Sequence, residues 1–357
     1  MEIRDVKIDD LHDIYKLCVN NDFFDEEVSY DNFYTTYKYL YFDTPIELKD
    51  VHHELVALHN EKMVSHTAMV LFQFKVNNKI VKAGFGSNLI IDKTQRKGPL
   101  FFMLQSKYLN SYNKKGIHFT YGLVTRAQVI SLHLRTGYRK VGLVPVYARP
   151  YNLISISKHY IPSSIIEILL SPLLKLANFM LSVNWFGKND VMIREITSFD
   201  ESINEIISQY FEKVKFSALR NDIVLNWRFS QFIHRNYKIF VSLKDDEISG
   251  YVITRKMRMK GLNSLALVDI LFLPGDKDTA KALLGAVHYQ ALKERVDLTS
   301  LIINPSSSML KYLMRFGFIK TSESFTVVVN EPRNKEHEFN EKNFHNWHIT
   351  WFDHDYV

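Results

Sequence analysis

The residues Gln95-Arg96-Lys97-Gly98-Pro99-Leu100 stand between a β-rich segment, Lys79–Ile91, and an apolar helical run, Leu100–Tyr112. A strand that turns into a helix leaves the first helical N–H groups without intrahelical partners. Those donors and the helix dipole attract phosphate. Gly98 lets a backbone approach an anion closely, and Pro99 suits a helix start, where its missing N–H costs nothing. Arg96 and Lys97 add charge beside the turn. The bland alternative is an ordinary glycine-proline helix start.

Charge distribution bears on that choice. The chain of 357 residues carries a net charge of +6. From Lys62 to Pro150, fifteen Lys and Arg face a single acid, Asp92. Such a field draws polyanions: a nucleic acid or a phosphorylated cofactor, or else it is only a solvated face. Other chemistries lack their residues. The single cysteine, Cys18, excludes a disulfide framework and a cysteine-rich metal site, and reads as a small buried apolar residue. The 14 histidines, His52-His53 among them, form no metal-ligand pattern, so no metal is expected. No nucleophile elbow or P-loop occurs. The start, Met1–Asp10, has no basic-then-apolar leader, and no uninterrupted apolar run is long enough to span a membrane. A cytoplasmic protein is expected. Ile161–Trp185 is mostly apolar but contains Pro172, Glu167 and Lys175. It reads as two buried or interfacial helices, either packing between domains or making peripheral membrane contact.

The elements that must hold the turn follow from periodicity. Leu11, Ile14, Tyr15, Cys18 and Val19 have helical spacing, and a second aromatic helix runs from Tyr30 to Phe42. Glu54–His59, Ser65–Val76 and Lys79–Ile91 are strands, with Asn77-Asn78 as a hairpin turn. Then come a helix, the strand Ile117–Val124, the helix Gln128–Arg135 and the strand Val141–Ala148. The order recurs: strand Val191–Ile196, helix Glu201–Lys213, strands Lys238–Leu243, Gly250–Arg255 and Ser264–Leu273. Helix Asp278–Arg295, strand Leu298–Ile303, helix Ser306–Phe316 and strand Thr321–Val329 complete it. The length and this internal repeat predict two α/β domains, at 1–150 and 191–333, joined by an apolar connector, 151–190. A tail at 334–357 is too aromatic to be disordered and is expected to dock near a cleft.

The pattern Gln95-x-x-Gly98-x-Leu100 resembles the cofactor signature of the GNAT acetyltransferase superfamily, with Leu100 where Gly or Ala is usual. The strand Phe119–Val124, helix Gln128–Arg135 and pair Gly137-Tyr138 resemble its second signature, in the right order and spacing. The second repeat echoes only the latter, as Arg315-Phe316-Gly317-Phe318; Pro274-Gly275-Asp276-Lys277-Asp278 has no matching Gln or Arg, and its acids repel phosphate. Leu225-Asn226-Trp227-Arg228-Phe229 is similar to a stretch in the second domains of tandem proteins of this kind. The chain therefore looks like two tandem GNAT-like domains, each a mixed, mostly antiparallel sheet flanked by helices (α+β), with the first able to bind cofactor.

The resemblance implies acetyl-CoA or another acyl-CoA as cofactor. Its phosphates would sit on Gln95, Arg96, Lys97, Gly98, Pro99 and Leu100, and its pantetheine arm between two splayed strands along Leu89, Ile90 and Ile91. Backbone N–H groups near Ile90 would polarise the thioester. Direct acyl transfer to a primary amine of a small molecule, such as an amino sugar or amino acid, is the implied reaction. His133 falls where the family often has a tyrosine acid; packing on the sheet is its other reading. Arg126 replaces an asparagine that contacts the pantetheine arm, and a phosphate or acidic group is its alternative partner. The proton acceptor has to come from elsewhere: Glu47, Glu54, or the tail acids Asp353 and Asp355, against simple structural docking of the tail. Two alternatives remain: an aminoacyl or long-chain transferase of the tandem cell-wall type, with tRNA as partner, and a non-catalytic CoA-binding protein. DNA is not an expected partner.

Overall fold

The computed structural model describes residues 1–24, 27–45, 54–160, 172, 173, 176, 178, 190–231, 233–331 and 339–354. Glu47, Asp355 and most of the apolar stretch 161–185 lie outside the described residues. The chain divides into two units. No helix among the described residues is long and apolar enough to cross a membrane.

Unit 1 comprises Met1–Leu143, Phe216–Leu219 and Phe325–Phe344. Its helix α1 (Leu11–Asn20) buries Leu11, Ile14 and Cys18 of the expected stripe together with Leu17, while Tyr15 is half-buried and Val19 is exposed; helix α2 (Tyr30–Tyr41) buries Phe33, Tyr37, Leu40 and Tyr41. Ser29 caps α2 by accepting the N–H of Asn32. The strands are β1 (Glu2–Asp5), β2 (Leu55–His59), β3 (Lys62–Val76), β4 (Lys79–Ile91) and β5 (Phe119–Val124). They hydrogen-bond in that order, antiparallel except for the parallel pair β4–β5. Asn77 takes the left-handed conformation, φ 54°, that the β3–β4 turn requires. Helix α3 (Leu100–Lys115) presses Leu100, Leu104 and Tyr108 against Leu55, Val64, Met69, Leu71 and Ile117. Leu100 is 1% exposed, so the departure from Gly or Ala at this position fills the core. Helix α4 (Ala127–Arg135) leads into β6 (Arg139–Pro150).

Unit 2 comprises Val144–Lys215, Arg220–Ser324 and His345–Val357. After helix α5 (Leu153–Tyr160), the repeat proceeds as β7 (Met192–Ile196), helix α6 (Ile203–Phe211), β9 (Lys238–Lys244), β10 (Glu247–Met259), β11 (Leu262–Phe272), helix α8 (Lys277–Lys293), β12 (Leu298–Ile302), helix α9 (Leu310–Arg315) and β13 (Ile319–Asn330). Between these elements in the chain lie β8 (Phe216–Ala218), which itself belongs to unit 1 and pairs there with β3, and the short helix α7 (Asp222–Leu225), capped by Asn221.

The units do not follow a single cut near residue 150. Strand β6 leaves unit 1 after Leu143, and its second half pairs with β12; β13 leaves unit 2 after Ser324, and its second half pairs with β5. Each unit therefore includes a strand segment that belongs to the other repeat. Gly137 (φ 93°) and Gly317 (φ 89°) close α4 and α9 identically, with the following aromatic N–H returning to the carbonyl of residue 133 or 313. This is the physical basis of the repeated Gly-aromatic pair.

Candidate functional site

In unit 1, β4 and β5 pair only from Ala83–Phe85 to Phe119–Tyr121, although β4 runs on to Ile91 and β5 to Val124. Beyond Phe85 the two strands separate and leave a slot flanked by unpaired backbone. On its other side, β4 carries a bulge: His66 faces Ile90 and Ala68 faces Ser87, so Asn88 and Leu89 together oppose Thr67. Asn88 is left-handed, φ 47°.

Side chains hold this bulge from below. His66 Nδ1 lies 3.1 Å from the Asn88 carbonyl oxygen, and Tyr37 OH lies 2.5 Å from His66 Nε2. Asn88 Nδ2 donates to Tyr41 OH (2.8 Å), which is 2.8 Å from Ser87 Oγ. Ser65 Oγ donates to the Ile90 carbonyl (2.6 Å). His66 is fully buried, and that burial drives its pKa down to about 3. Desolvation likewise raises Tyr37 well above the ordinary tyrosine value, so its hydroxyl stays protonated. Glu54, a sequence candidate for the base, is buried at 1% exposure, and its charge acts on Tyr37 and Tyr108.

The turn after β4 is ordered by its own bonds. Asp92 Oδ1 accepts from the N–H and hydroxyl of Thr94, which holds its carboxyl below the usual range, and Gln95 N–H donates to the Asp92 carbonyl. Gly98 N–H returns to Gln95 O (3.1 Å). The first helical bond is Met103 N–H to Pro99 O, so Pro99 stands at the cap and Leu100, Phe101 and Phe102 carry the N–H groups with no intrahelical acceptor. Gly98 is exposed and not left-handed; a Cβ there would meet only Gln95 O, at 3.4 Å. The backbone thus does not require glycine, and a preference for it has to come from whatever lies outside. Arg96 folds back, with Nε to Ile91 O and Nη2 to Asn21 Oδ1, while Lys93 pairs with Asp22. Lys97 is exposed beside Gly98.

Arg126 is the exposed N-cap residue of α4, without a side-chain cap. His133 lies near the end of the same helix, edge-on to Phe101 and Tyr138 at 5.4 and 4.8 Å between centroids. Its Nδ1 is 2.8 Å from Val129 O, an acceptor, so Nδ1 carries the proton and Nε2 the lone pair. Burial lowers its pKa. The neutral ring offers Nε2 as an acceptor, and its protonated form is the one that would serve the acid role expected from its position.

The corresponding places in unit 2 carry acids. At the head of α8, Asp276 Oδ1 accepts from Thr279 N–H and Oδ2 from the Thr279 hydroxyl, and Asp278 adds a second acid to the first turn. β11 also bulges, at Val268, and also parts from β12, after Ala266 and Ser300. There the fully buried Asp269 receives Arg220 Nε (2.8 Å) and Tyr251 OH (2.8 Å) on Oδ2 and the Thr350 hydroxyl (2.7 Å) on Oδ1. Arg220 Nη2 reaches Asp353 Oδ2 at 3.0 Å, and its guanidinium lies over Phe352 at 4.0 Å. Arg228, from the Asn226-Trp227-Arg228-Phe229 motif, donates to the carbonyls of Phe352 and His354. The motif and Arg220 thus clamp the aromatic tail within unit 2. Asp353 is 1% exposed, and burial raises its pKa against the opposing pull of Arg220.

The structure therefore brings Leu89, Ile90, Ile91 and the turn 95–100 to one end of unit 1, and places Asp353 in a different, closed network. Sequence reasoning missed His66, Tyr37 and Tyr41. A lone histidine in an apolar strand and two tyrosines on an amphipathic helix read as core; only the Ser87-Asn88 interruption of an otherwise apolar strand hinted at the bulge. No cluster of metal-ligating side chains occurs among the described residues.

The mixed sheet flanked by helices has the GNAT fold, as its likeness to solved structures shows. A GCN5-related N-acetyltransferase from Anabaena variabilis superposes with a TM-score of 0.62 at 11% identity, over 92% of this chain and 72% of that one. The N-myristoyltransferase of Saccharomyces cerevisiae, with bound myristoyl-CoA, gives 0.62 at 13% identity, over 94% and 79%. A probable N-acyltransferase from Enterococcus faecalis gives 0.60 at 12%, over 96% and 73%. No family profile and no curated sequence matches the chain.

Proposed function

We propose that the chain is an acyl-CoA-dependent N-acyltransferase whose cofactor binds unit 1. The observation that carries this reading is the asymmetry between repeats. Unit 1 has a helix start with no acid beside Lys97 and a bulge braced by His66, whereas unit 2 puts Asp276 on its helix start and the buried Asp269, bonded to Arg220 and to Thr350 of the tail, beside its bulge. The structural neighbours are acyltransferases by name, and one holds myristoyl-CoA, which supports the same cofactor class.

In the reaction, a primary amine attacks the thioester carbonyl, the C–S bond breaks, and an amide forms. The amine nitrogen gives up one proton and the departing CoA sulfur takes one. The N–H groups at 100–102 and Lys97 hold the phosphates, with Gln95, Arg96, Gly98 and Pro99 shaping that contact and Arg126 the next cation along the slot. The slot along Leu89–Ile91 holds the pantetheine arm. His133 Nε2, unprotonated at neutral pH, is a proton carrier. An amine of a small molecule is the acceptor, and acetyl-CoA is the donor of first choice.

Thermal melting and calorimetric titration with acetyl-CoA and with a myristoyl-length ester test this. Acyl-CoA should raise the melting temperature, and Gly98→Asp, which puts a carboxylate where phosphate sits, should abolish the rise. No shift with either ester overturns the proposal.

A further inference from the structure

The bulge in β4 is braced by buried groups that acyl transfer as described above does not use. The Asn88 carbonyl can only accept, so the His66 Nδ1 at 3.1 Å carries the proton. Nε2 therefore holds the lone pair and takes the Tyr37 hydroxyl at 2.5 Å. With its pKa near 3, His66 keeps this single tautomer throughout the physiological range.

A trans peptide is planar, and its C=O and N–H point in opposite directions. When the Asn88 carbonyl is turned to His66, the Leu89 N–H is turned away from His66. The neighbouring residues have other commitments. Asp92 N–H donates to Val64 O (2.9 Å), and bonded positions alternate along an antiparallel pair, so Ile90 also turns its N–H to β3. Its carbonyl is held by Ser65 Oγ. A left-handed asparagine costs about 1 kcal/mol, and such strain persists where surrounding bonds over-determine it. Here three do: His66 on the carbonyl, Tyr41 on the side-chain amide, and Ser87 on Tyr41.

Resting on the acyl-transfer reading, we propose that His66, backed by Tyr37, is a positioning residue that locks the Asn88–Leu89 peptide so that the Leu89 N–H faces the slot and hydrogen-bonds the thioester oxygen. That bond strengthens as the oxygen gains charge on attack, and its alignment is set before substrate arrives. The donor near Ile90 implied by the family resemblance is, on this geometry, the N–H of Leu89.

The test needs no acceptor amine. Acetyl-CoA labelled with 13C at the carbonyl is bound to the wild type, His66→Leu, His66→Asn and Tyr37→Phe, and the carbonyl stretch is read by difference infrared spectroscopy. The wild type should lower the frequency relative to free ester. His66→Leu should return it toward the free value, while His66→Asn, whose amide nitrogen overlays Nδ1, should recover most of the shift. Tyr37→Phe, which leaves the imidazole in place but frees Nε2, should fall between and serves as the readout if His66→Leu does not fold. Affinity for CoA without the acyl group should stay within threefold in every folded variant. With an acceptor in hand, kcat of His66→Leu should fall about a hundredfold, the usual effect of losing one such donor. An unshifted carbonyl in bound wild type, a shift that survives both His66→Leu and Tyr37→Phe, or a parallel loss of CoA affinity overturns the positioning role while leaving the transferase reading intact. Failure of the ester to bind at all overturns both.

Discussion

Arg220→Met should separate structure from chemistry in the tail. Arg220 is fully buried between Asp269 (2.8 Å) and Asp353 (3.0 Å), themselves 0% and 1% exposed, with Phe352 stacked on its guanidinium. Methionine keeps much of the volume and removes the cation. Breaking one side of a buried ion pair costs about 3–5 kcal/mol, because the charge left behind has neither partner nor water. For a folded body of this size each kcal/mol is worth roughly 2–4 °C, so the melting temperature should drop by about 6–20 °C. The sign with pH is fixed by Asp353. Its folded pKa already lies above the ordinary value, and removing Arg220 removes the group that opposes this rise. A folded state with a raised carboxyl pKa binds a proton that the unfolded chain does not, so its stability grows as pH falls through that raised value. The deficit of Arg220→Met relative to wild type should therefore shrink from pH 7 toward pH 5, read by urea melts across the range. A deficit under about 1 kcal/mol, or one independent of pH, would refute the ion-pair account.

Asp353→Asn should lower stability while leaving kcat per folded molecule within twofold; a large loss of kcat at unchanged stability would put Asp353 at the chemistry. His133→Phe should slow turnover with CoA affinity nearly intact. Because burial lowers its pKa, the wild-type rate should be flat above pH 6.5 and fall only on acidification, as Nε2 is protonated. A rate that instead falls with rising pH through neutrality would restore the acid role. Leu100→Ala should cost about 2–5 kcal/mol by opening the α3 core, measured by denaturant melts. Gly142→Ala should cost about 1–3 kcal/mol, because a Cβ there would lie 2.2 Å from the Phe344 ring.

Periodicity carried the local structure far. The β3–β4 hairpin, the strand-turn-helix at 79–115 and the two Gly-aromatic helix ends are where the sequence pattern places them. Three features were not legible. β1 is four residues, Glu-Ile-Arg-Asp, and its strand state comes from pairing with β2, not from its own propensity. The exchange of final strands between repeats leaves no local signal, since Val144–Pro150 forms a strand whichever sheet receives it. The tail's aromatic content announced burial, but not its partners: Arg220, separated from Asp353 by 133 positions, and Arg228, separated from Phe352 by 124, hold it.

The same bulge appears twice, and its two fates explain why one repeat is the candidate for catalysis. Separating β4 from β5, or β11 from β12, leaves backbone groups that burial cannot tolerate without partners, and in β4 also the left-handed Asn88. Unit 2 sets a buried carboxylate beside its bulge: Asp269 draws in Arg220, Tyr251 and Thr350 of the tail. Unit 1 braces its bulge from one side only, through neutral groups held in fixed protonation states by burial. That brace occupies the carbonyls of Asn88 and Ile90. An internal carboxylate there would compete with a thioester oxygen for every N–H it needs. Substituting Ser87 with Asp should put such a charge into the brace: the carboxylate would take the Asn88 side-chain amide from Tyr41 and loosen the bulge, and acyl-CoA affinity should fall at least tenfold while CoA lacking the acyl group binds within threefold of wild type. Equal loss of both ligands would show that the slot had collapsed, and would break the parallel between the two bulges.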